Sequence, residues 1–243
     1  MYREELIKSC KKLRLSRNLA EQGADIEAES FQENLLKLFN LEIEHRERAK
    51  RERLIKTAGF YARKTFEDYR FDEVRLPSGV TPEYLKNVTF VEEVKNLILY
   101  GNVGTGKTHM SIALGMEACR RGMKVGFYRT ASLVNRLSDA KKTGELTKFL
   151  NTINKQDLLI LDEWGYVPLD REAAQLLFQI VSESYERRSV IITTNLEFSR
   201  WIGIFYDEQM TAAIIDRLIH HSYLLIFDGS SNRVRDSLMK LEN

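Results

Sequence analysis

Short apolar runs alternate with helical patterns along the second half of the chain. Runs rich in Val, Ile, Leu and aromatic residues predict buried strands at 97–100, 124–128, 157–161, 189–194 and 223–227. The intervening stretches carry apolar residues at helical spacing, including Thr130–Lys142, Glu172–Arg187 and Asp207–His221. Nearly continuous apolar strands separated by helices are typical of a parallel sheet that helices cover on both faces. We therefore predict an α/β fold around a five-stranded parallel sheet.

The pattern over residues 1 to about 64 predicts helices only, since it contains no strand-like run and no proline. One helix begins near Ser30, and its apolar centre is formed by Leu35, Leu36, Leu38, Phe39, Leu41 and Ile43. Residues 66–90 carry two of the three prolines and a Ser-Gly turn, which are typical of a linker. We predict a small all-α N-terminal domain at 1–65, a linker at 66–90 and the α/β domain at 91–243.

Composition excludes membrane-spanning and secreted classes. No apolar run approaches the length of about 18 residues that a membrane span needs, and the N-terminus lacks the apolar core of a signal peptide. Cys10 and Cys119 lie far apart, and neither has a partner at metal-ligand spacing, as is usual for the reducing cytosol. We therefore expect a cytoplasmic protein. The net charge of +2 neither favours nor opposes a nucleic-acid partner, so the distribution of charge matters more than its sum.

Basic residues concentrate between Arg46 and Lys64, where eight lysines and arginines stand against two acids. Such a run is either a solvated helix face or a surface that contacts the phosphate backbone of DNA. The excess of arginine favours the DNA surface, because guanidinium groups suit phosphate. The candidate DNA-binding residues are Arg46, Arg48, Lys50, Arg51, Arg53 and Lys56.

A glycine-rich stretch, Gly101–Thr108, fits the phosphate-binding pattern G-x-x-x-x-G-K-[ST] between a predicted strand and a predicted helix. Backbone N–H groups and the helix dipole then point at one anion. The pattern predicts that Lys107 binds the β- and γ-phosphates of ATP and that the Thr108 hydroxyl binds Mg²⁺. The predicted nucleotide-binding residues are Gly101, Asn102, Val103, Gly104, Thr105, Gly106, Lys107, Thr108 and His109.

Two acids, Asp162 and Glu163, follow the apolar run at 157–161. Acids at the carboxyl end of a parallel strand project into the crevice where such sheets bind their ligands. We predict that Asp162 holds Mg²⁺, through water, and that Glu163 orients and deprotonates the water that attacks ATP. The predicted catalytic residues therefore include Lys107 and Glu163.

Two further polar residues each allow two interpretations. The side chain of Asn195, directly after the apolar run at 189–194, contacts the γ-phosphate or the attacking water, or it only closes a turn. Arg217 has apolar neighbours on a predicted helix. It is either an arginine finger for the nucleotide of an adjacent subunit or the local partner of Asp216 or Asp207.

The remaining features have weaker interpretations. Trp164–Tyr166 either stacks on a base or packs against the sheet edge, and Arg233 and Arg235 either reach the phosphates or are solvated. His220 and His221 would project about 100° apart on a helix. Because no nearby cysteine or acid completes a set of metal ligands, we expect no metal there.

These segments together resemble the IstB-like helper ATPases of transposition, in the DnaC/DnaA-like branch of AAA+ ATPases. The matching segments lie between about residues 85 and 236, and they are GNVGTGKTHMSIALG, FYRTASLVNRL, DLLILDEWGYVPLD, LLFQIVSESYERRSVIITTN, AIIDRLIHH and GSSNRVR. The resemblance implies that Asn195 is the sensor I residue, that Arg217 is the trans-acting arginine finger and that Arg233 is the sensor II arginine.

The chain departs from the family pattern at two positions. Asn102 stands where a proline is usual, and Asn232 stands where a tyrosine is usual, next to the sensor II position. Only 16 residues follow Phe227, which predicts that the helical lid of AAA+ proteins is reduced or absent.

The resemblance implies an ATPase that uses ATP and Mg²⁺ and assembles with copies of itself on duplex DNA, largely without sequence preference. It also implies that the protein presents target DNA to a partner transposase, IstA, and stimulates it. A replicative helicase loader of the DnaC kind is the first alternative, although the stretch Asp162–Pro168 looks more like the transposition helper. A DNA-binding scaffold that binds nucleotide without hydrolysis is a second, and Glu163 argues against it. A small-molecule kinase is a third, but the sequence shows neither an acceptor pocket nor a lid for it.

Overall fold

The computed structural model describes residues 2–23, 26–67, 69–166, 169–205 and 207–232. The chain forms two compact units, residues 1–53 and residues 54–243. The domain boundaries expected from composition stay a prediction, because compactness alone does not show which part folds independently.

Helices account for the first unit, as the sequence pattern predicts. They are α1 (Tyr2–Lys12), α2 (Arg17–Gln22) and α3 (Phe31–Thr57), the last of which continues beyond the unit. The start of α3 is capped, because the Ser30 Oγ accepts a hydrogen bond from the Glu33 N–H at 3.2 Å. The Glu33 carboxylate accepts in turn from the Glu29 N–H at 2.9 Å. This pair of hydrogen bonds satisfies backbone donors that a helix start leaves without partners.

The apolar side chains of the first turns of α3 are largely exposed. Phe31, Leu35, Leu36, Phe39 and Ile43 have exposed fractions between 39% and 79%. The hydrophobic pattern thus predicted the helix correctly, but an apolar helix face does not by itself fix what covers it.

Among the described residues, the second unit is built on a sheet of six strands. The strands are β1 (Val74–Arg75), β2 (Asn96–Gly101), β3 (Val125–Arg129), β4 (Leu158–Asp162), β5 (Ser189–Thr194) and β6 (Ser222–Phe227), in the order β1-β6-β2-β5-β4-β3. Strands β2 to β6 are parallel and lie within one residue of their predicted bounds. The predicted number of strands was wrong, because β1 adds an antiparallel edge to β6. A strand of two residues has no hydrophobic period that a sequence pattern can show.

Helices cover both faces of this sheet. They are α4 (Pro82–Lys86), α5 (Thr89–Glu92), α6 (Lys107–Arg120), α7 (Thr130–Lys142), α8 (Leu146–Ile153), α9 (Arg171–Ser184), α10 (Ile202–Phe205) and α11 (Glu208–Ile219). Alternate residues of β4 face two separate hydrophobic clusters: Leu158 and Ile160 lie in the one that contains α6, and Leu159 and Leu161 lie in the other. Burial on both faces explains why these strands are continuously apolar in sequence.

The segment at 66–90, which composition assigned to a linker, contributes side chains to the core of the second unit. Val80, Leu85 and Val88 are buried in the same cluster as α6. Pro82 occupies the first turn of α4, where the Thr81 hydroxyl accepts from the Tyr84 N–H at 3.1 Å. Proline marks a helix start here.

Among the described helices, none combines the length and the apolar character that crossing a membrane requires.

Candidate active site

The glycine-rich stretch forms a loop between the end of β2 and the start of α6. Two glycines of this loop are closely approached by residues at and after the end of β6. Gly101 has φ +152, and a Cβ there would collide with the Phe227 carbonyl. Gly104 has φ +85, and a Cβ there would collide with Ser231. The backbone of Asn232 donates to the Gly104 carbonyl at 3.0 Å, so the segment after β6 crosses directly over the loop.

Lys107, the first residue of α6, is buried and points back into the loop. Its Nζ donates to the carbonyls of Gly101 at 2.7 Å and Asn102 at 2.6 Å. Thr105 donates to the same Asn102 carbonyl at 2.8 Å. These bonds hold the ammonium group in the loop, where it adds a full positive charge to the helix N-terminus.

Three side chains converge where β4 and β5 end. The Asp162 Oδ1 accepts hydrogen bonds from the Thr108 hydroxyl at 2.9 Å and from the Thr193 hydroxyl at 2.6 Å. The Thr193 oxygen also accepts from the backbone N–H of Glu163 at 3.0 Å. The loop, the acidic strand end and the neighbouring strand are therefore joined by one hydrogen-bonded chain, as the parallel order of the strands requires.

Asp162 is almost completely buried, with 1% of its surface exposed. Burial raises the pKa of its carboxyl above the usual range, although the hydroxyls of Thr193 and Thr108 favour the charged form. Its second oxygen, Oδ2, has no hydrogen-bond partner among the described residues. A buried carboxylate oxygen without a donor, beside a threonine hydroxyl, fits a hard cation such as Mg²⁺, which binds oxygen ligands.

Glu163 differs from its neighbour, because its side chain is about half exposed and faces an open cleft. Its backbone is left-handed, with φ +59, a conformation that few residues other than glycine adopt. The Arg129 Nε lies 3.9 Å from the Glu163 Oε2, and the Arg129 guanidinium lies 4.7 Å from the centre of the Tyr61 ring.

The cleft above the loop has a volume of about 490 Å³. It is lined by Tyr61, Ala62, Lys64, Val103, Gly104, Thr105, Gly106, Lys107, Thr108, His109, Glu163, Tyr166, Thr193 and Asn232. Most of the predicted nucleotide-binding residues and the predicted base, Glu163, therefore share one cavity. Gly101 and Asn102 are not among these lining residues, and their carbonyls contact Lys107 instead.

Asn195 and Arg217 lie outside the set of described residues that line the cleft. Asn195 directly follows the end of β5 and is half-buried. The Arg217 guanidinium donates to the Ala213 carbonyl of its own helix, α11, at 3.1 Å and lies 5.3 Å from the centre of the Phe178 ring. Their predicted roles stay predictions, as do those of the other site residues.

Arg233 and Arg235 lie outside the described residues, as do the other residues after 232, so the expectation of a reduced or absent lid stays a prediction. Asn232, which directly precedes Arg233, lines the cleft.

The candidate DNA-binding residues lie on α3, and their side chains differ in their contacts. The Arg46 guanidinium bonds to the Glu42 carboxylate at 2.6 Å and to the Arg14 carbonyl at 2.7 Å. Arg51 pairs with Glu47 at 2.9 Å. All six candidate residues are exposed, namely Arg46, Arg48, Lys50, Arg51, Arg53 and Lys56.

Of the two aromatic residues after the acids, one packs and the other is exposed. Trp164 is fully buried, with its ring centre 5.3 Å from that of Trp201 and 5.7 Å from that of Phe205, which confirms the packing interpretation. Tyr166 is 45% exposed and lines the cleft.

Sequence reasoning missed Thr193, Tyr61 and Lys64. Thr193 carries a signal, because it is a polar residue at the end of an apolar run, but the same pattern points equally to Asn195 just beyond the strand. Tyr61 and Lys64 carried none, since both belong to the basic stretch that was interpreted as a DNA surface. Only the path of the chain after α3 brings them to the cleft.

Comparison with protein families shows that the family described as IstB-like ATP binding protein matches residues 9–240. The ATP-binding protein of insertion sequence IS232 from Bacillus thuringiensis subsp. berliner is 35% identical over 213 residues, which is 87% of this chain and 84% of the relative. The corresponding protein of IS21 from Pseudomonas aeruginosa is 36% identical over 220 residues, or 90% and 82% of the two chains.

Solved structures with a similar fold come from replication proteins. The DnaC helicase loader has a TM-score of 0.53 and 26% identity, over 67% of this chain and 96% of that chain. DnaA from Aquifex aeolicus bound to AMPPCP has a TM-score of 0.54 and 20% identity, over 73% of this chain and 56% of that chain. The second likeness shows the AAA+ fold alone.

Proposed function

Since the chain belongs to the family of IstB-like ATP-binding proteins and is an ATPase of the AAA+ type, we propose that it is the ATP-driven helper of a DNA transposition reaction. In this proposal it binds duplex DNA, assembles on it with copies of itself and stimulates a partner transposase, IstA. The setting is supported by the relatives, which are named as proteins of insertion sequences. We also propose a cytoplasmic location, because the relatives are bacterial proteins and bacterial DNA lies in the cytoplasm.

The observation that carries the ATPase chemistry is the hydrogen-bonded chain from Thr108 through Asp162 to Thr193. It holds a buried acid next to the hydroxyl at the start of α6, below a cleft that the glycine-rich loop lines. In the proposal, Thr108 and Asp162 hold Mg²⁺, Asp162 through water. When bound, Mg²⁺ neutralises negative charge on the β- and γ-phosphates.

In the proposal, each of four residues at the site has a separate role. Lys107 contacts the β- and γ-phosphates in place of the carbonyls that it now bonds. Glu163, which is half exposed at the cleft, orients the attacking water and accepts its proton. Thr193 positions both acids, because one hydroxyl donates to Asp162 and accepts from the Glu163 backbone. Asn195 acts as the sensor of the γ-phosphate.

Assembly follows in this proposal from a nucleotide that two subunits share. Arg217 lies away from the cleft of its own chain, which suits a residue that serves the nucleotide of a neighbour. Arg233 is proposed as the sensor II residue because Asn232, next to it in sequence, lines the cleft. ATP occupancy then stabilises the oligomer through mass action.

DNA is proposed to follow the basic part of α3, where exposed arginines and lysines dominate. Phosphate contacts would make binding largely independent of sequence, and affinity would fall steeply with salt concentration.

A helicase loader is the second candidate function, because the DnaC loader matches over 96% of its own length with 26% identity. Pulldown of the tagged protein against a helicase and against the proposed partner transposase distinguishes the two. Selective retention of the helicase would favour the loader.

The test of assembly is the particle size of the purified protein with and without duplex DNA, each with ATP, ADP or no nucleotide. We expect large particles only with ATP and DNA together. Lys107→Ala should prevent them and lose ATP binding, while Lys155→Ala, an exposed lysine after α8, should behave like the parent. A particle size unchanged by ATP and DNA would contradict the assembly proposal and leave the ATP site intact.

A further inference from the structure

Three side chains that commonly bind metals converge at the turn between α11 and β6. Glu186, His220 and His221 each place one ligand atom within 4.8 Å of the other two. Glu186 follows α9, whereas the histidines lie 35 residues or so further along the chain, so folding alone brings them together.

The end of α11 explains why the two histidines can act together. The helix was expected to reach His221, where adjacent rings would diverge, but it ends at Ile219. Both histidines therefore lie at the change from helix to strand, and their ring centres are only 4.1 Å apart. The acid that the local sequence lacks comes from Glu186. The sequence-based argument against a metal here was wrong on both points.

One ligand separation suits a tetrahedral ion, and all three ligand atoms lie within 4.8 Å of one another. The Glu186 Oε1 lies 3.2 Å from the His221 Nε2. Zinc with bonds of 2.0–2.1 Å holds neighbouring ligand atoms about 3.3 Å apart at tetrahedral angles. Glu186 itself has a left-handed backbone, with φ +56.

The remaining ring nitrogens have partners of their own. The Tyr185 hydroxyl lies 2.8 Å from the His220 Nδ1, and its ring stacks on His220 at 26° between planes. A phenol oxygen can accept a hydrogen bond from Nδ1–H, and metal-binding histidines are commonly oriented by such a second hydrogen bond. The Lys95 Nζ lies 3.5 Å from the His221 Nδ1. Because an ammonium group only donates, a metal at the His221 Nε2, which leaves the proton on Nδ1, requires Lys95 to turn away.

We propose that Glu186, His220 and His221 form a binding site for a divalent transition metal, with zinc as the best fit and water as the fourth ligand. Two imidazoles and one carboxylate suit zinc better than magnesium or calcium, which prefer oxygen ligands. The ion ties the segment after α9 to the end of α11, the helix that carries Arg217. This inference does not depend on the proposed function.

The test is isothermal titration of the full chain with Zn²⁺, in excess Mg²⁺ to occupy oxygen-ligand sites. We expect about one zinc ion per chain, and we expect His221→Ala, His220→Ala and Glu186→Gln each to weaken binding by about tenfold or more. His45→Ala removes an exposed histidine of α3 and should change nothing. Circular dichroism checks that the surface variants remain folded.

Co²⁺ provides a second readout, because tetrahedral coordination gives visible absorption bands. We expect these bands with the parent and with His45→Ala, and their loss in His221→Ala. Zinc binding that is absent from the parent, or equal in the parent and all three ligand variants, would overturn the proposal.

Discussion

At Asp162, one side chain combines a cost to stability with a proposed role in the candidate site. Its carboxylate is buried, accepts from two threonine hydroxyls through Oδ1 and has no hydrogen-bond partner at Oδ2 among the described residues. An arrangement of this kind disfavours the charged form in the absence of a cation. The charged form of Asp162, which the proposed Mg²⁺ site uses, is therefore the form that burial destabilises.

The variant Asp162→Asn tests this destabilisation through the pH dependence of its unfolding free energy. Burial raises the pKa of Asp162 in the folded chain, so the native state binds this proton more tightly than the unfolded chain does. From the ordinary pKa of about 4 up to the raised value, the parent loses stability as pH rises. Asn cannot titrate. We expect the unfolding free energy of the variant, relative to the parent, to increase between pH 4.5 and pH 7.5.

Urea unfolding at both pH values, with EDTA and without nucleotide, measures this difference. Asp139→Asn, at an exposed position of α7, is the matched control and should show no such change. A relative stability of Asp162→Asn that stays constant or declines with pH would contradict the argument.

Glu163 provides the second prediction at this scale. Glu163→Gln keeps the size of the side chain and its left-handed backbone but cannot accept a proton from water. We expect ATP binding to be retained and turnover to fall by about 10²- to 10⁴-fold. Binding of a fluorescent ATP analogue and steady-state phosphate release measure the two effects. Glu197→Gln, an exposed acid before α10, is the control, and a normal rate in Glu163→Gln would remove its role as base.

At the scale of elements, α3 is joined to the loop before α2 by one buried acid. Glu42 is 6% exposed and accepts from the Ser16 N–H at 2.9 Å and from the Arg46 Nε at 2.6 Å. Burial raises the pKa of Glu42, but these hydrogen bonds outweigh it, so the pKa lies below its usual range. Arg46 thus has a structural partner as well as its proposed contact with DNA.

Glu42→Gln removes the charge while keeping an acceptor. Because the folded-state pKa is lowered, the stabilisation is present above the ordinary pKa of about 4.3 and is lost as pH falls through the folded value. We expect the variant to be less stable than the parent by about 1–2 kcal/mol at pH 7, the size of a charged hydrogen bond. The difference should vanish at low pH.

Thermal unfolding and hydrogen exchange of the helices before residue 53 measure this loss. Glu44→Gln, an exposed acid two residues along α3, is the control. A difference between Glu42→Gln and the parent that persists at pH 3 would mean that the charge is not its source.

The sheet also acts as one element, since its parallel strands place their carboxyl ends at one edge. β2 leads into the phosphate loop, β4 ends at Asp162, and β5 carries Thr193 near its end. The site is therefore a consequence of strand order, with β5 between β2 and β4.

At the scale of the whole molecule, the proposed role of Arg217 would make hydrolysis depend on more than one chain. On its own chain the guanidinium lies over the Phe178 ring and bonds within α11. If it completes a neighbour's site, the parent's turnover per chain should rise with protein concentration. Arg217→Ala should still bind ATP but should remain slow at every concentration.

The measurement is ATP turnover over a wide range of protein concentrations, with DNA present. Loss of the ring contact should cost only about 0.5–1 kcal/mol of stability, so the variant should remain folded. Arg187→Ala, an exposed arginine after α9, is the control. Full activity of Arg217→Ala would mean that the finger lies elsewhere.

The sequence by itself determined the class of fold and the centre of the site. Continuous apolar runs and helical spacing are local properties, so they placed β2 to β6 within one residue. The phosphate loop and the acids at 162 and 163 follow from local patterns in the same way. The sequence pattern did not predict the short strand β1, because β1 is a strand through its pairing with β6 and has no periodicity of its own.

Tertiary structure alone decided which distant residues meet. Thr193 reaches Asp162 because β4 and β5 are adjacent, and Tyr61 and Lys64 reach the cleft through the path of the chain after α3. Glu186 reaches His221 because α11 ends before the histidines. Local sequence cannot specify these contacts, since they depend on where separate elements pack and end.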